Sequence, residues 1–115
     1  MASPMQTQPQ LQREEMLKKV IIDVLRELSG AVIDFYSDEQ LKQLEHIIEE
    51  KVKRRMGEMC KKVSAYLEWG EEAGWIYLDI DCDNISAHAT LPVYAVILTN
   101  ELEESDIEIE GDGNE

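Results

Sequence analysis

Hydrophobic residues in the first part of the chain recur at the spacing of an α-helix. Steps of three and four residues separate the members of one stripe, which are Leu17, Ile21, Val24 and Leu28. Such spacing places these side chains on one face of a helix. Gly30 follows the stripe, and glycine is the residue that most often lies just past a helix end. The pattern predicts a first helix over about residues 10–29.

A second apolar stripe follows Ser37, which with Gln40 forms a predicted capping box. Its members are Leu41, Leu44, Ile48, Val52, Met56, Met59, Val63 and Leu67. Their average step of roughly 3.7 residues is that of a straight helix rather than of a coiled coil. We therefore expect one long helix from Asp38 to about Glu68, with a kink or a close contact at Gly57. The apolar stripe of this helix is longer than one small sheet can cover, so a homodimer is predicted.

Beyond Gly70 the hydrophobic period changes to two, the period of a strand with one buried face. The apolar residues Ile76, Leu78, Ile80 and Cys82 alternate with Trp75, Tyr77, Asp79 and Asp81. Asp83-Asn84 is a two-residue turn signal, and such a turn fixes the register of a hairpin. The predicted register places Cys82 opposite Ile85, Ile80 opposite Ala87, Leu78 opposite Ala89, Ile76 opposite Leu91, Tyr77 opposite Thr90 and Asp79 opposite His88.

The remaining residues predict one or two further strands. Pro92 is expected to end the pairing of the hairpin, and residues 93–99 are interpreted as a strand because Val and Ile dominate them, although a helix stripe also fits. Ile107 and Ile109 alternate with acidic residues, so a short edge strand is expected at 105–110. Acidic side chains on such a strand protect the sheet edge from aggregation.

These elements predict an α+β fold. It has two helices, the second one long, followed by a three- to four-stranded antiparallel sheet. Residues 1–10 are predicted to be a disordered N-terminal leader, residues 11–100 a single α+β domain, and residues 101–115 an acidic C-terminal tail. A chain of 115 residues suits one hydrophobic core.

The charge of the chain is divided between two segments. All eleven Lys and Arg residues lie in residues 1–62, where eleven acidic residues balance them. The 53 residues after Lys62 contain fourteen acidic residues and no Lys or Arg, so they carry the whole net charge of −14. An asymmetry of this kind indicates the charge of the partners rather than the fold.

The first functional hypothesis is a non-enzymatic protein-interaction module, such as an adaptor, assembly factor or inhibitor. Its acidic sheet would present an anionic surface to a basic partner protein, and the regular spacing of the acids suggests a mimic of nucleic acid, with a nucleic-acid-binding protein as the partner. The aromatic residues near the glycine-flanked turn would anchor the interface. The candidate partner-binding residues are Glu68, Trp69, Glu71, Glu72, Trp75, Tyr77, Asp79, Asp81 and Asp83.

Two alternatives belong to other classes. In the first, a structural homo-oligomer forms when the basic segment Lys51–Lys62 of one copy meets the acidic end of another. In the second, Asp79, Asp81, Asp83 and His88 form a weak divalent-metal-binding or hydrolytic site. The aspartates begin like a calcium loop, but Thr90 stands where that loop needs Glu. No catalytic residue, cofactor or metal site is predicted. Direct nucleic-acid binding is not expected of so acidic a chain.

Cysteine content and hydropathy bear on the compartment. Cys60 and Cys82 are predicted to be free thiols, as is usual in a reducing compartment. No apolar run reaches the length that crosses a bilayer, and the N-terminus lacks a signal-peptide pattern. The expected location is the cytoplasm, with no membrane partner.

Overall fold

The chain folds as two helices followed by a five-stranded antiparallel sheet, which confirms the predicted α+β class. The computed structural model describes residues 3–33, 37–72, 74–94 and 96–111, with side chains from residue 11 onward. The elements in chain order are α1 (Ser3–Leu28), α2 (Asp38–Met56), β1 (Val63–Trp69), β2 (Trp75–Cys82), β3 (Ile85–Tyr94), β4 (Ile97–Leu98) and β5 (Glu108–Gly111). Single 3-10 turns occupy Gly57–Met59 and Glu104–Asp106.

The strands follow the order β1-β2-β3-β4, and β5 also pairs with β3. β5 lies beside the first part of β3 and β4 beside its last two residues, so both stand on the same side of that strand. The helices cover one face of the sheet. Fully buried side chains of this core include Leu17, Ile21 and Leu25 of α1, Ile48 and Val52 of α2, and Ile76, Leu78, Ile80 and Leu91 of the sheet.

The predicted register of the β2–β3 hairpin is confirmed at every position. Cys82 lies opposite Ile85, and Asp79 lies opposite His88. The turn needs a left-handed backbone, which Asp83 adopts with φ 55°, and Asp and Asn are the side-chain-bearing residues that tolerate this conformation best. The chemistry of two turn residues therefore fixes the face on which every side chain of the hairpin lies.

The prediction of one helix from Asp38 to about Glu68 is wrong beyond Met56. Gly57 ends α2 with φ 59°, a conformation that favours glycine. Val63 and Leu67 of the presumed stripe lie instead on β1, whose inward residues pack against the core. Their positions in the chain differ by four, a spacing that fits one face of a helix and one face of a strand equally well. The structure thus adds an edge strand where the sequence predicted helix.

The shorter α2 removes the argument for a homodimer from an uncovered stripe. Leu41, Leu44, Ile48, Val52 and Met56 are all buried within the single chain. The N-cap half of the predicted capping box is confirmed, since Ser37 Oγ accepts the amide of Gln40 at 3.2 Å, while the side chain of Gln40 donates to Val32 O. Residues 34–36, which precede this cap, lie outside the described residues.

The first helix is longer than predicted. It begins at Ser3 rather than near residue 10, so the backbone of most of the predicted leader is helical, while residues 1 and 2 lie outside the described residues. Pro4 falls in the first turn, where its missing amide hydrogen has no partner to lose. At the other end, Gly30 has φ 98° and donates its amide to Leu98 O at 2.9 Å.

The segment 93–99 contains strand residues, as favoured, at 93–94 and 97–98, but these belong to two different strands. β3 continues through Pro92 to Tyr94 and turns back into β4, with residue 95 outside the described residues. Pro92 pairs with Trp75 of β2, and its nitrogen lies on the side of β3 between β5 and β4, where no strand stands. Because no neighbouring strand accepts a hydrogen bond there, the missing amide hydrogen of Pro92 costs little.

The prediction of free thiols is contradicted by a disulfide between Cys60 and Cys82, whose Cα atoms are 5.3 Å apart. Val63, the first residue of β1, pairs with Cys82, so Cys60 stands beside it only three residues earlier in the chain. On the predicted helix, Cys60 and Val63 would have had no partner strand, so nothing in that prediction brought Cys60 beside Cys82. Both cysteines are buried in the core.

Candidate functional site

The face of the sheet that points away from the helices is acidic and aromatic. We call it the outer face, and its strand residues are Ser64, Tyr66, Glu68, Trp75, Tyr77, Asp79, Asp81, Ser86, His88, Thr90, Pro92, Tyr94, Ile97, Glu108 and Glu110. It contains no Lys or Arg, since the last one in the chain is Lys62 and β1 begins at Val63. Alternation along the strands therefore separates an apolar inner face from an anionic outer one.

Four aromatic side chains stand exposed on the outer face. Tyr66 is 53% exposed, Trp75 42%, Tyr77 41% and Tyr94 56%. Trp69, by contrast, faces inward opposite Ile76 and packs against the core. Exposed aromatic rings grouped with polar residues are characteristic of protein-binding surfaces.

A groove of about 580 Å³ lies on this face. Its apolar lining comes from Trp75, Tyr77, Ala89, Pro92 and Leu102, and its carboxylates are Glu68, Asp79, Glu101, Asp106 and Glu108. The segment from Glu101 to Asp106 reaches the groove because β5 returns the chain to β3 after β4. A cation with an apolar body fits such a lining, because carboxylates attract its charge and aromatic rings contact its body.

Among the strand residues of the outer face, His88 is the one whose side chain can carry a positive charge. Its Nδ1 lies 2.5 Å from Asp79 Oδ1 and its Nε2 lies 3.5 Å from Glu110 Oε1. The hydrogen bond to Asp79 raises the pKa of His88, and desolvation opposes this shift only in part. The predicted cross-strand contact between Asp79 and His88 is therefore present, and the two carboxylates orient the ring.

The structure divides the candidate partner-binding residues into groups. Glu68, Trp75, Tyr77 and Asp79 come together in the groove. Asp81 lies beside it on the outer face and accepts a hydrogen bond from Ser86 Oγ at 2.7 Å. Trp69 belongs to the core, and the exposed residues Glu71 and Glu72 lie in the connection between β1 and β2, outside the groove lining.

Asp83 has a structural contact that the sequence did not indicate. Its carboxylate accepts the backbone amides of Lys61 and Lys62 at 2.9 to 3.2 Å. These hydrogen bonds lower the pKa of Asp83. The side chain thus ties the hairpin turn to the residues that enter β1 and is committed to the fold.

Several residues of the outer face were not among the candidates. Tyr66 was assigned to a helix, while Glu101, Leu102 and Asp106 were assigned to the tail. The alternation of Ile107 and Ile109 with acidic residues did indicate a strand near Glu108. Its pairing with β3 depends on a long-range contact that local pattern cannot specify.

Neither a metal site nor a membrane-spanning helix is found in the described part of the chain. No group of three or more His, Cys, Asp and Glu side chains there is placed to hold a metal ion. Asp83 turns to backbone amides and Asp81 to Ser86, so the calcium-loop resemblance gains no support from geometry. Within residues 3–33 and 37–72, which contain both helices, no helix has the length and apolarity to cross a membrane.

Comparison of the chain with protein-family models, with curated proteins and with solved structures gives no match in any of the three. A functional assignment therefore rests on the geometry and charge of the outer face.

Proposed function

We propose that the protein is a non-enzymatic interaction module whose outer face binds a basic partner protein. The observation that carries the proposal is the composition of this face, which combines a carboxylate-lined groove and exposed aromatic rings with no Lys or Arg. Attraction between opposite charges accelerates encounter and selects basic partners. The aromatic side chains supply contact area that charge alone does not.

The groove suggests how one side chain of the partner is held. A lysine or arginine side chain laid along Trp75 and Tyr77 would contact both rings, and its charged end would meet Asp79 or Glu108. Cation–π contacts favour arginine in particular. Proteins that bind nucleic acid are rich in such side chains, and acids spaced regularly along neighbouring strands offer them charges in rows. A nucleic-acid-binding protein is therefore the partner class that we favour.

Binding of an arginine-rich peptide tests the proposal directly. We expect binding at about 0.01 M salt that is lost by about 1 M salt, because the Debye length falls from about 30 Å to about 3 Å over this range. Isothermal titration calorimetry reports the affinity, and so does tryptophan fluorescence, to which the exposed Trp75 contributes. Binding that does not respond to salt, or no binding at low salt, would contradict the proposal.

Two triple variants test whether binding depends on where the negative charges lie or only on the net charge of the protein. Glu68→Gln, Glu101→Gln and Glu108→Gln neutralise three exposed carboxylates of the groove. The control changes Glu39, Glu50 and Glu58 to Gln, which lie exposed on or after α2 and alter the net charge equally. We expect the first variant to weaken peptide binding about tenfold and the control to change it little.

A structural homo-oligomer is the second candidate. The observation that favours it is a basic surface at the end of α2, where Lys53, Arg54, Lys61 and Lys62 are all exposed. Such a surface complements the outer face of another copy in charge. Sedimentation that shows a monomer at every salt concentration would remove this candidate.

A cytoplasmic location is retained as a proposal, but the disulfide argues against it. Disulfides such as Cys60–Cys82 form and persist mainly in oxidising compartments. Alkylation of thiols in intact cells, followed by mass spectrometry, decides between the cytoplasm and an oxidising compartment. Alkylated cysteines would support the cytoplasm, and protected cysteines would support an oxidising compartment.

A further inference from the structure

The edges of the sheet differ in how their backbone hydrogen-bonding groups are covered. At the β1 edge, the amides of Ala65 and Leu67 donate to carboxylates of α2, at 3.1 Å to Glu49 and 2.9 Å to Glu45. Beside β4, the connection after α1 supplies the partners: Gly30 and Ile33 donate to Leu98 O and Val96 O, and Leu98 donates to Ala31 O. The outward amides of Ala65, Leu67 and Leu98 at these two edges therefore already have acceptors within the chain.

The outward side of β5 is open in the described part of the chain. Cys82 and Ile85 flank the two-residue turn and therefore form a hydrogen-bonded pair. From Ile85 onward, successive residues of β3 point their backbone groups alternately toward β2 and toward β5. Ser86 and His88 consequently bond to Glu110 and Glu108 of β5. It follows that the backbone groups of Ile109 and Gly111 point away from β3. No hydrogen bond to either on that side is found among the described residues.

We infer that β5 is a docking edge at which an extended, basic segment of a partner protein adds a further strand to the sheet. Strand addition at an open edge is a common mode of peptide binding, in which main-chain hydrogen bonds supply the affinity. The inference rests on the proposed function for the sign of the partner's charge, but the open edge is an independent observation.

Charge specifies what can pair with β5. Glu108 and Glu110 project onto the outer face, so an added strand would place alternate side chains beside them. The remaining side chains would lie beside Ile109, which is half-buried and continues the core. A sequence that alternates basic and apolar residues meets both demands. A second copy of β5 does not, because its glutamates would face these ones and like charges across strands destabilise pairing.

Two synthetic peptides of equal charge test the inference. In one, lysine alternates with valine, and in the other lysine alternates with proline, which removes main-chain donors needed for pairing. We expect the valine peptide to bind about tenfold more tightly at the same salt concentration. Hydrogen exchange should slow at the amides of Ile109 and Gly111 on its addition alone.

The outcomes separate this inference from the proposed function. Equal binding of both peptides without protection of these two amides would overturn strand addition and leave the anionic docking surface intact. Failure of both peptides to bind at low salt would overturn both. Protection of Ile109 and Gly111 by the valine peptide would establish strand addition.

A proline variant provides a second measurement. Ile109→Pro removes the outward amide hydrogen while leaving the bonds of Glu108 and Glu110 to β3, and Ile109→Val is its control. We expect the first change to abolish the preference for the valine peptide and the second to retain it. Amide chemical shifts would reveal whether Ile109→Pro displaces β5. In that case Gly111→Pro, compared with Gly111→Ala, gives the same test. A proline variant that still prefers the valine peptide would overturn the inference.

Discussion

Glu45 on α2 accepts the backbone amide of Leu67 on β1 at 2.9 Å, and so a helix side chain closes the edge of the sheet. Glu49 does the same for Ala65 one helical turn later. Carboxylates four residues apart on a helix lie about 6 Å apart along its axis, which matches the two-residue repeat of a strand. The spacing of these acids therefore ties α2 to β1.

Removal of this contact should destabilise the protein. We expect Glu45→Ala to lower the free energy of unfolding by about 1–2 kcal/mol, because the half-buried amide of Leu67 loses its acceptor. Glu45→Gln keeps an acceptor oxygen and should cost less. Urea unfolding measures both, and Glu50→Ala, at an exposed position of the same helix, serves as the control. An equal loss in Glu50→Ala would show that the effect comes from the helix alone.

The disulfide should contribute a larger part of the stability. Cys60 and Cys82 are separated by 22 residues, and closing a loop of this size stabilises a fold by about 3 kcal/mol through the entropy of the unfolded chain. Replacing both cysteines with alanine should lower the free energy of unfolding by about that amount in guanidinium titrations. Reaction of both thiols with a thiol reagent in the denatured, unreduced protein would contradict the disulfide itself.

Asp83 should make stability depend on acid pH. The amides of Lys61 and Lys62 lower its folded pKa below the ordinary value of 3.8, so its contribution is present above 3.8 and is lost as pH falls through the folded pKa. Asp83→Asn should flatten this dependence while tolerating φ 55°. Asp83→Ala should cost about 1–2 kcal/mol near pH 7, since it loses the hydrogen bonds and strains the backbone. Unfolding curves between about pH 2 and pH 7 decide.

The hairpin could be predicted because its determinants are local. Asp83-Asn84 fixed the register, and the register placed Trp75, Tyr77 and Asp79 on one face before any contact was known. The groove around them could not be predicted in the same way. Glu101 and Glu108 reach it only through the pairing of β5 with β3, which joins residues distant in sequence.

One ambiguous spacing accounts for two errors in the sequence analysis. The step of four from Val63 to Leu67 fits both periods, so the pattern predicts helix where β1 forms. With β1 absent, Cys60 had no position relative to Cys82, and the disulfide was missed as well. The alternation of Val63, Ala65, Leu67 and Trp69 with Ser64, Tyr66 and Glu68 was the local signal for the strand.

His88 links stability and binding with opposite dependence on pH. Its folded pKa is raised by Asp79, so the stabilisation is fully present below the unfolded value of 6.5 and is lost as pH rises through the folded pKa. Loss of the imidazolium charge also makes the outer face more negative. As pH rises through this window, stability should therefore decrease while affinity for an arginine-rich peptide increases.

Three variants test this link. Asp79→Asn should lower the pKa of His88, which titration of its imidazole signals by NMR measures directly. His88→Gln should remove both pH dependences together, because no titrating group then remains between Asp79 and Glu110 in this range. His46→Gln, on the exposed side of α2, removes the other histidine and should leave both in place. Persistence of either dependence in His88→Gln would assign it to a different group.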